Sequence, residues 1–291
     1  MVVIVQHFDE SADERREKVY AVAGYFGNQF DWLTFEGGWE KLLSEYRLDY
    51  FKASECETLT GQFARYRKNP DDLTLPLDAD EKAKRTEIKT AFVDIAIKSP
   101  IVGFGAAVLM EDFNELCAQN SQAARSLGKH PYFICAHAAM ATAGHITTTV
   151  NHDQGTSHLL AFVFDENKEV CSSFLAEYHE FQRKNPYAAE YMASATFASE
   201  LRFKPLQVAD LLVYEARKLL LNKTYEPNRA TRIALKRISP NVQALYRFDR
   251  QALEWIIKET SVGVPLNQVL VKRFEGNLNY TMTMTFDLST D

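Results

Sequence analysis

The amino-acid sequence predicts an α/β protein in which a mixed β-sheet is flanked by helices on both faces. Short apolar runs alternate along the chain with longer segments whose apolar residues recur at helical spacing. The two most apolar of the short runs each end in charge, which is typical of buried strands. Of the 291 residues, 46% are hydrophobic and 25% are charged, as in ordinary globular proteins.

The N-terminal half is predicted to begin with two antiparallel strands. Val2–Phe8 is a β-branched run, Val19–Phe26 is a second apolar run, and the polar segment Asp9–Lys18 suits a loop between them. Trp32–Tyr46 places its apolar residues at helical spacing. The other expected elements are a short strand at Tyr50–Ala53, a loop at Thr60–Leu77, a helix at Asp80–Lys98 and a strand at Ile101–Met110.

The C-terminal half contains Leu159–Phe164, the most strand-like run of the chain, and a helix that begins at Pro205 and ends near Leu221. The other expected elements are helices at Pro131–Val150, Cys171–Asn185 and Gln251–Lys258, and strands at Ala193–Ala198 and Tyr280–Phe286. We expect a core domain over residues 1–222 and a C-terminal extension over residues 223–291 that packs on the same domain.

The composition and net charge argue against several classes of protein. The net charge of −6 argues against a protein that holds duplex DNA by bulk charge, so nucleic-acid contact would need local basic patches or metal ions. The four cysteines are widely spaced, which favours free thiols in a reducing compartment over a zinc site. The N-terminal apolar run is too short for a signal peptide, and no run approaches the ~20 apolar residues of a membrane span. We therefore expect a cytoplasmic protein.

Paired acids follow the two most apolar predicted strands, as Asp9-Glu10 and Asp165-Glu166. Ligands of open α/β sheets bind beyond the carboxyl ends of the strands. Successive side chains of a strand point to opposite faces, so one acid of each pair can face a common site. A third acid, Asp210, lies at the edge of the apolar arc of the Pro205 helix. It is either a metal ligand or the partner of a cation such as Arg217.

Separated carboxylates suit Mg²⁺ or Mn²⁺, which prefer hard oxygen ligands. Two such ions ~3.5–4 Å apart can stabilise the attacking and leaving oxygens of a phosphodiester. Bound cations also invert the local charge, which would allow an acidic protein to bind a polyanion.

Five short motifs resemble the family called domain of unknown function 3800, a branch of the ribonuclease H-like superfamily. The resemblance covers roughly Val2 to Leu221. The motifs are Asp9-Glu10-Ser11, Ala23-Gly24, Lys52-Ala53-Ser54-Glu55, Phe164-Asp165-Glu166, and Gln207-Val208-Ala209-Asp210-Leu211-Leu212.

The resemblance implies a ribonuclease H-like mixed sheet with one acid on the central strand, one after the fourth strand and one on a late helix. These positions are Asp9, Asp165 and Asp210, and Glu55 is implied as a fourth ligand because it matches the glutamate of a His-x-Ser-Glu-like segment. Lys52 stands where a histidine is usual, and Ala12 where glycine is common. The first departure puts a proton-carrying role at that position in doubt.

Several other polar residues are secondary candidates for a functional role. His7 shares a strand face with Asp9 but is expected to be a hydrogen-bonded core histidine, and His137 and His145 are expected to pack on an apolar helix. Three basic clusters suit either single-stranded nucleic acid or solvent. They are Arg65, Arg67 and Lys68; Lys82, Lys84 and Arg85; and Arg229, Arg232, Lys236 and Arg237.

Three functions remain open on the sequence alone. The leading hypothesis is a Mg²⁺- or Mn²⁺-dependent phosphodiesterase or nuclease, with Asp9, Asp165 and Asp210 as metal ligands and an activated water as nucleophile. The second is a catalytically inactive module of the same fold that binds nucleic acid or protein. The third is a glycosidase in which Asp9 and Asp165 flank a sugar ~5–9.5 Å apart.

Overall fold

The computed structural model describes residues 2–13, 15–119, 121–184 and 189–276. In these ranges a six-stranded mixed sheet carries α-helices on both faces, eleven in all. The predicted α/β architecture is therefore confirmed. No helix within the described ranges combines the length and apolarity needed to cross a membrane.

The sheet has the strand order β5-β4-β1-β2-β3-β6. Its strands are β1 (Val3–Ala12), β2 (Val19–Asn28), β3 (Val102–Leu109), β4 (Leu159–Asp165), β5 (Met192–Ala198) and β6 (Val242–Phe248). β2 is antiparallel to both β1 and β3, whereas β1, β4 and β5 run parallel to one another. The carboxyl ends of β4 and β5 therefore point toward the same edge of the sheet as that of β1.

Two hydrophobic cores lie on opposite faces of the sheet. One face is covered by α1 (Gln29–Glu45), α2 (Ala53–Thr58), α3 (Ala79–Lys98), α8 (Lys204–Tyr225) and α9 (Ile233–Ile238). The other face is covered by α4 (Met110–Gln119), α5 (Ser121–Leu127), α6 (Pro131–Gln154), α7 (Cys171–Lys184), α10 (Arg250–Ser261) and α11 (Leu266–Gly276).

The structure corrects two local predictions. The segment Asp9–Lys18 is not all loop, because β1 continues to Ala12 and pairs with β2 in the register Asp9↔Ala23 to Ala12↔Tyr20. Backbone pairing with an adjacent strand outweighs the polar composition there. The short strand expected at Tyr50–Ala53 is absent from this described segment, and Ala53 instead begins the helix α2.

Several elements were not predicted from the sequence: α4, α5, α9, α11, β6 and a 3₁₀ helix at Gly61–Tyr66. The strand expected at Tyr280–Phe286 lies outside the described residues. The four cysteines carry free thiols, with Cys56 and Cys135 buried and Cys117 and Cys171 half-buried.

Gly24 fixes the spacing of β1 and β2 and gives the first testable prediction. It pairs with Phe8, and a β-carbon there would overlap the carbonyl oxygen of His7 and crowd the Phe8 ring. We expect Gly24→Ala to lower the free energy of unfolding by about 2–3 kcal/mol through overpacking. Chemical denaturation measures the change.

The matched control is Gly37→Ala in α1, where a β-carbon would meet no atom within 4 Å. There the same change should stabilise the protein by up to about 1 kcal/mol, because alanine is the better helix former. Equal effects at the two glycines would contradict the packing argument.

Candidate metal centre

Three carboxylates from separate elements converge at the edge of the sheet where β1, β4 and β5 end. Asp9 lies on β1, Glu200 in the loop after β5, and Asp210 on α8. Their exposed fractions are only 6%, 6% and 7%, respectively. One oxygen from each lies within 4.8 Å of the others. We call Asp9, Glu200 and Asp210 the carboxylate triad.

Parallel strands position two of the acids beside each other. Asp165 is the last residue of β4, and Glu200 follows the neighbouring β5 by two residues. The Glu200 backbone N–H donates to Oδ1 of Asp165 at 2.8 Å. Asp165 thus adjoins the triad and fixes the loop that carries Glu200.

Helix α8 positions the third acid through contacts one turn apart. Oδ2 of Asp210 accepts from the Ala53 N–H at 2.5 Å. Oε1 of Gln207 accepts from Nε1 of Trp39 at 2.8 Å and from the Phe51 N–H at 3.0 Å. Nε2 of Gln207 donates to the Glu200 carbonyl at 2.9 Å. Residues 207 and 210 share a helix face, so one turn of α8 holds both the segment before α2 and the loop of Glu200.

Burial and the repulsion of neighbouring acids raise the pKa values of Asp9, Glu10, Asp165 and Asp210. Burial first, then the negative charges of Asp210 and other acids, raise the pKa of Asp9 well above its usual range. Burial and the Glu200 carboxylate raise the pKa of Asp210 to about 7 and that of Asp165 to about 6. Burial and Asp165 raise the pKa of Glu10 to about 7. The cluster therefore favours bound protons, or a cation in their place.

Lys52 supplies the cationic partner of the triad. Its ammonium group forms an ion pair with Oε1 of Glu200. Although burial alone would lower it, the carboxylates of Glu200, Asp210 and Asp9 raise the pKa of Lys52. One lysine stands against five acids, since Glu10 and Asp165 adjoin the triad. Within the described ranges, the other oxygen of Glu200, Oε2, is buried and has no hydrogen-bond partner.

The triad fits a hard divalent cation. Ligands on opposite sides of an octahedral Mg²⁺ are ~4.2 Å apart, since each lies ~2.1 Å from the ion. This is the largest separation that two of its ligands can have, and the triad oxygens, which lie within 4.8 Å of one another, would have to move slightly closer to share one ion. A buried carboxylate oxygen without a partner is costly, and a cation would satisfy it. The donor set consists of carboxylates alone, as Mg²⁺ and Mn²⁺ prefer.

The structure brings together Asp9 and Asp210 and places Asp165 beside them, but it leaves Glu55 outside the group. The Glu55 carboxylate accepts from the Tyr50 hydroxyl at 3.1 Å and from the Gln62 N–H at 3.4 Å, and it packs against Gly61. The role of Glu55 as a fourth ligand stays a prediction. The alternative partner of Asp210, Arg217, instead donates to Oγ of Ser11.

Sequence reasoning missed Glu200. The signal was present, because Glu200 follows a strand just as Asp165 follows β4. Asp9 and Asp165 follow the two most apolar runs of the chain. Glu200 follows β5, a weakly apolar edge strand whose end is a weaker signal.

Two of the candidate histidines, His7 and His137, lie in packed surroundings. His7 packs edge-on against Trp32, with ring centroids 4.5 Å apart, and burial lowers its pKa to about 3. Its Nδ1 has no hydrogen-bond partner among the residues described, so this nitrogen lacks the hydrogen bond expected of a core histidine. Burial also lowers the pKa of His137 to about 4.

Many cations of the three basic clusters form ion pairs with acidic side chains. Lys68 contacts Asp78 and Asp80. Further pairs are Lys84–Glu87, Arg85–Glu57, Arg229–Glu226, Arg232–Glu215 and Arg237–Asp94. Six of the ten cations in these clusters are therefore paired with acids.

A separate cavity of about 490 Å³ lies on the opposite face of the sheet, between α6, α7 and α11. It borders the amino end of β4 at Leu160, whereas Asp165 lies at the carboxyl end. The acids at its wall, Glu177 and Glu180, are about half exposed. The densest set of buried, electrostatically coupled acids is the triad and not this cavity, so we take the triad as the functional centre.

The chain matches no protein-family model, and no curated protein is significantly similar to it.

Gln207 gives a prediction about how the site is held. We expect Gln207→Leu to lower the free energy of unfolding by at least about 3 kcal/mol. The change leaves the Trp39 Nε1–H, the Phe51 N–H and the Glu200 carbonyl without their partner, each at a cost of ~1–3 kcal/mol. Chemical denaturation measures the loss, with Gln207→Glu as the variant that keeps an acceptor. A loss below 1 kcal/mol would show that these bonds are unimportant.

Asp210 gives a prediction about pH. Its folded-state pKa of about 7 lies above its ordinary value of 3.8, so the folded state keeps a proton that the unfolded state has lost. In a chelating buffer, this group should therefore destabilise the wild type progressively as pH rises from 4 to 7. Asp210→Asn should match the wild type near pH 4 and melt several degrees higher at pH 8.

Thermal unfolding between pH 4 and pH 8 measures this difference. The control is Asp153→Asn, which removes a solvent-exposed charge at the end of α6. An Asp210→Asn variant that is less stable than wild type at pH 8 would refute the repulsion argument.

Proposed function

We propose that this protein is a metal-dependent phosphodiesterase that acts on nucleic acid. The observation that carries the proposal is the triad itself, in which three carboxylates, each more than 90% buried, approach within 4.8 Å with a single lysine as cationic partner. Buried charges that are not compensated destabilise a fold, so such a group is expected where a bound cation compensates it.

The placement of the acids supports the ribonuclease H-like resemblance. Asp9 lies on a central strand, Asp165 ends the fourth strand in chain order, and Asp210 lies on a late helix. These are the three positions that the resemblance implies. Glu200 adds a fourth acid, and we assign it a ligand role with Asp9 and Asp210.

The cation, Mg²⁺ or Mn²⁺, supplies Lewis-acid stabilisation of phosphate oxygens and a water of lowered pKa. The chain's own residues hold and orient it. Asp9, Glu200 and Asp210 provide its carboxylate oxygens, and Ala53 fixes Asp210 through its N–H. Asp165 holds the Glu200 loop, and Lys52 brings a positive charge to the mouth of the site.

Nucleic acid is the substrate class that these features favour. A cation at the triad turns a negative site into one that attracts phosphate. The aromatic ring of Phe203 lies three residues after Glu200 and is 47% exposed, which suits stacking of an unpaired base. The free thiols of all four cysteines support the expected cytoplasmic location.

A metal-free binding module is the second candidate, and the Lys52–Glu200 ion pair favours it. The ammonium group already compensates one of the three triad charges. Nucleic-acid binding without any Mn²⁺ binding at millimolar concentration would establish this module in place of the enzyme. The glycosidase hypothesis requires Asp9 and Asp165 to flank a sugar ~5–9.5 Å apart, and it stays a prediction.

The proposal predicts the metal affinities of single variants. By isothermal titration with Mn²⁺ at pH 7.5, Asp9→Asn, Glu200→Gln and Asp210→Asn should each bind at least about tenfold more weakly than wild type. Asp165→Asn should lose ~10–100-fold, because Asp165 orients a ligand rather than serving as one. Cleavage of single- and double-stranded DNA and RNA should fall in the same variants.

The control is Asp153→Asn, which removes an acid remote from the triad. Its affinity should equal that of the wild type. Equal Mn²⁺ affinity in wild type and in all three triad variants would rule out the site assignment.

A further inference from the structure

We infer that Arg217 and Lys218 form a second phosphate-binding subsite along α8 from the carboxylate triad, so the substrate carries at least two phosphate groups. This inference rests on the proposed function, because it describes how the same substrate is held. A nucleic-acid strand is the substrate of this kind that the site favours.

Contacts to Ser11 and Tyr214 hold the Arg217 side chain in place. It is 7% exposed, and its Nε donates to Oγ of Ser11 at 2.9 Å. Ser11 lies two residues after Asp9 on β1, so both side chains emerge on the same face of the sheet. The guanidinium carbon lies 5.1 Å from the centre of the Tyr214 ring. With Nε engaged and the stem fixed, the two terminal nitrogens form a preorganised fork, which is the geometry that binds phosphate bidentately.

Neither cation of the pair has an acidic partner in the described part of the chain. No carboxylate oxygen there lies within 4.0 Å of the side-chain nitrogens of Arg217 or Lys218. Two of the acids nearby already have partners, since Glu57 contacts Arg85, Lys89 and Arg232, and Glu215 contacts Lys89 and Arg232. Asp13 and Asp210 attract Arg217 without forming an ion pair with it.

Positive charge accumulates around the Tyr214 ring. Besides Arg217, the cations of Lys89, Lys218 and Arg232 lie 5.3, 5.6 and 5.8 Å from its centre. Counting Arg85, five cations lie among four acids, because Asp13 and Asp210 act on the Arg217 charge in addition to Glu57 and Glu215. Burial, then the like charges of Arg217 and Arg232, lower the pKa of Lys218. A buried cation cluster of this kind is stabilised by an external anion.

The two charge clusters share one helix. Asp210 and Arg217 are seven residues apart on α8, about two turns or ~10.5 Å. The acidic end would hold one phosphate through the cation, and the basic end would hold another phosphate of the same molecule. This arrangement explains how a chain with a net charge of −6 could bind a polyanion without a basic surface.

The test is the salt dependence of binding of a fluorescent 12-nucleotide single strand between 50 and 200 mM salt, measured in EDTA and again in CaCl₂. Each lost phosphate contact should reduce the slope of log K against log salt by ~0.7. Arg217→Gln and Lys218→Gln should each show this reduction and bind several-fold more weakly at low salt. Arg217→Lys should recover the slope but only part of the affinity, since it keeps the charge and loses the fork.

The matched control is Arg250→Gln, which removes an exposed arginine on α10, a helix of the opposite face. Slopes and affinities of Arg217→Gln and Lys218→Gln that equal those of this control would overturn the inference, as would a wild type with no binding in either buffer. If Arg217→Gln fails to fold, Lys218→Gln decides, because its half-buried side chain makes no ion pair with the described residues.

The same assay separates this inference from the proposed function. In EDTA, the slope of log K against log salt should be the same for Asp210→Asn as for wild type, because Arg217 is intact although the metal site is damaged. A nucleoside diphosphate that competes with the strand in wild type but not in Arg217→Gln would support the subsite with a smaller ligand. If metal binds at the triad but strand binding is the same in Arg217→Gln and wild type, the subsite is refuted and the proposed function is not.

Discussion

Electrostatic repulsion among buried carboxylates is the constraint on which the account of this protein depends. Asp9, Glu200 and Asp210 reach one small region from a strand, a loop and a helix, and burial removes the water that would screen them. Protons, Lys52 or a bound cation must compensate this charge. The raised pKa values of Asp9 and Asp210 both reflect the free-energy cost of burying charge. Hydrophobic packing does not explain why the fold would retain these buried acids.

Backbone and amide hydrogen bonds, rather than additional ion pairs, hold the buried acids and their segments in place. Gln207 joins three separate segments, and the Ala53 N–H and the Glu200 N–H each bind one carboxylate. Such bonds fix oxygen positions without neutralising them. The oxygens are thus held in place, while protons or a cation are left to compensate their charge.

The sequence predicts the parts of this arrangement that follow from local pattern. Apolar periodicity located β4, β2 and the long helices α3, α6 and α8 to within a few residues, and the acids at strand ends indicated Asp9 and Asp165. The edge strand β6 was missed because Gln243 and Arg247 interrupt its apolar pattern. Glu200 was missed because its neighbourhood depends on β5 pairing with β4, which is a long-range contact.

Short-range geometry also places several predicted residues in surroundings that their local motifs do not indicate. Glu55 sits in a segment that resembles a ligand motif, yet the turn at Gly61 brings the Gln62 N–H to its carboxylate. Lys52 stands where a histidine was expected and becomes the cationic partner of Glu200. Lys68 and Arg237 of the predicted basic clusters are paired with acids, whereas Arg217 and Lys218, outside those clusters, form no ion pair with the described residues. Charge counts along the sequence do not reveal which cations lack partners in the fold.

The most direct test of the central claim is a crystal structure of the protein soaked in Mn²⁺, with anomalous diffraction recorded at the manganese edge. The account predicts a peak between the carboxylates of Asp9, Glu200 and Asp210, with oxygen ligands ~2.1–2.2 Å from the ion. A map with no peak at the triad, and with Lys52 still bound to Glu200, would contradict it.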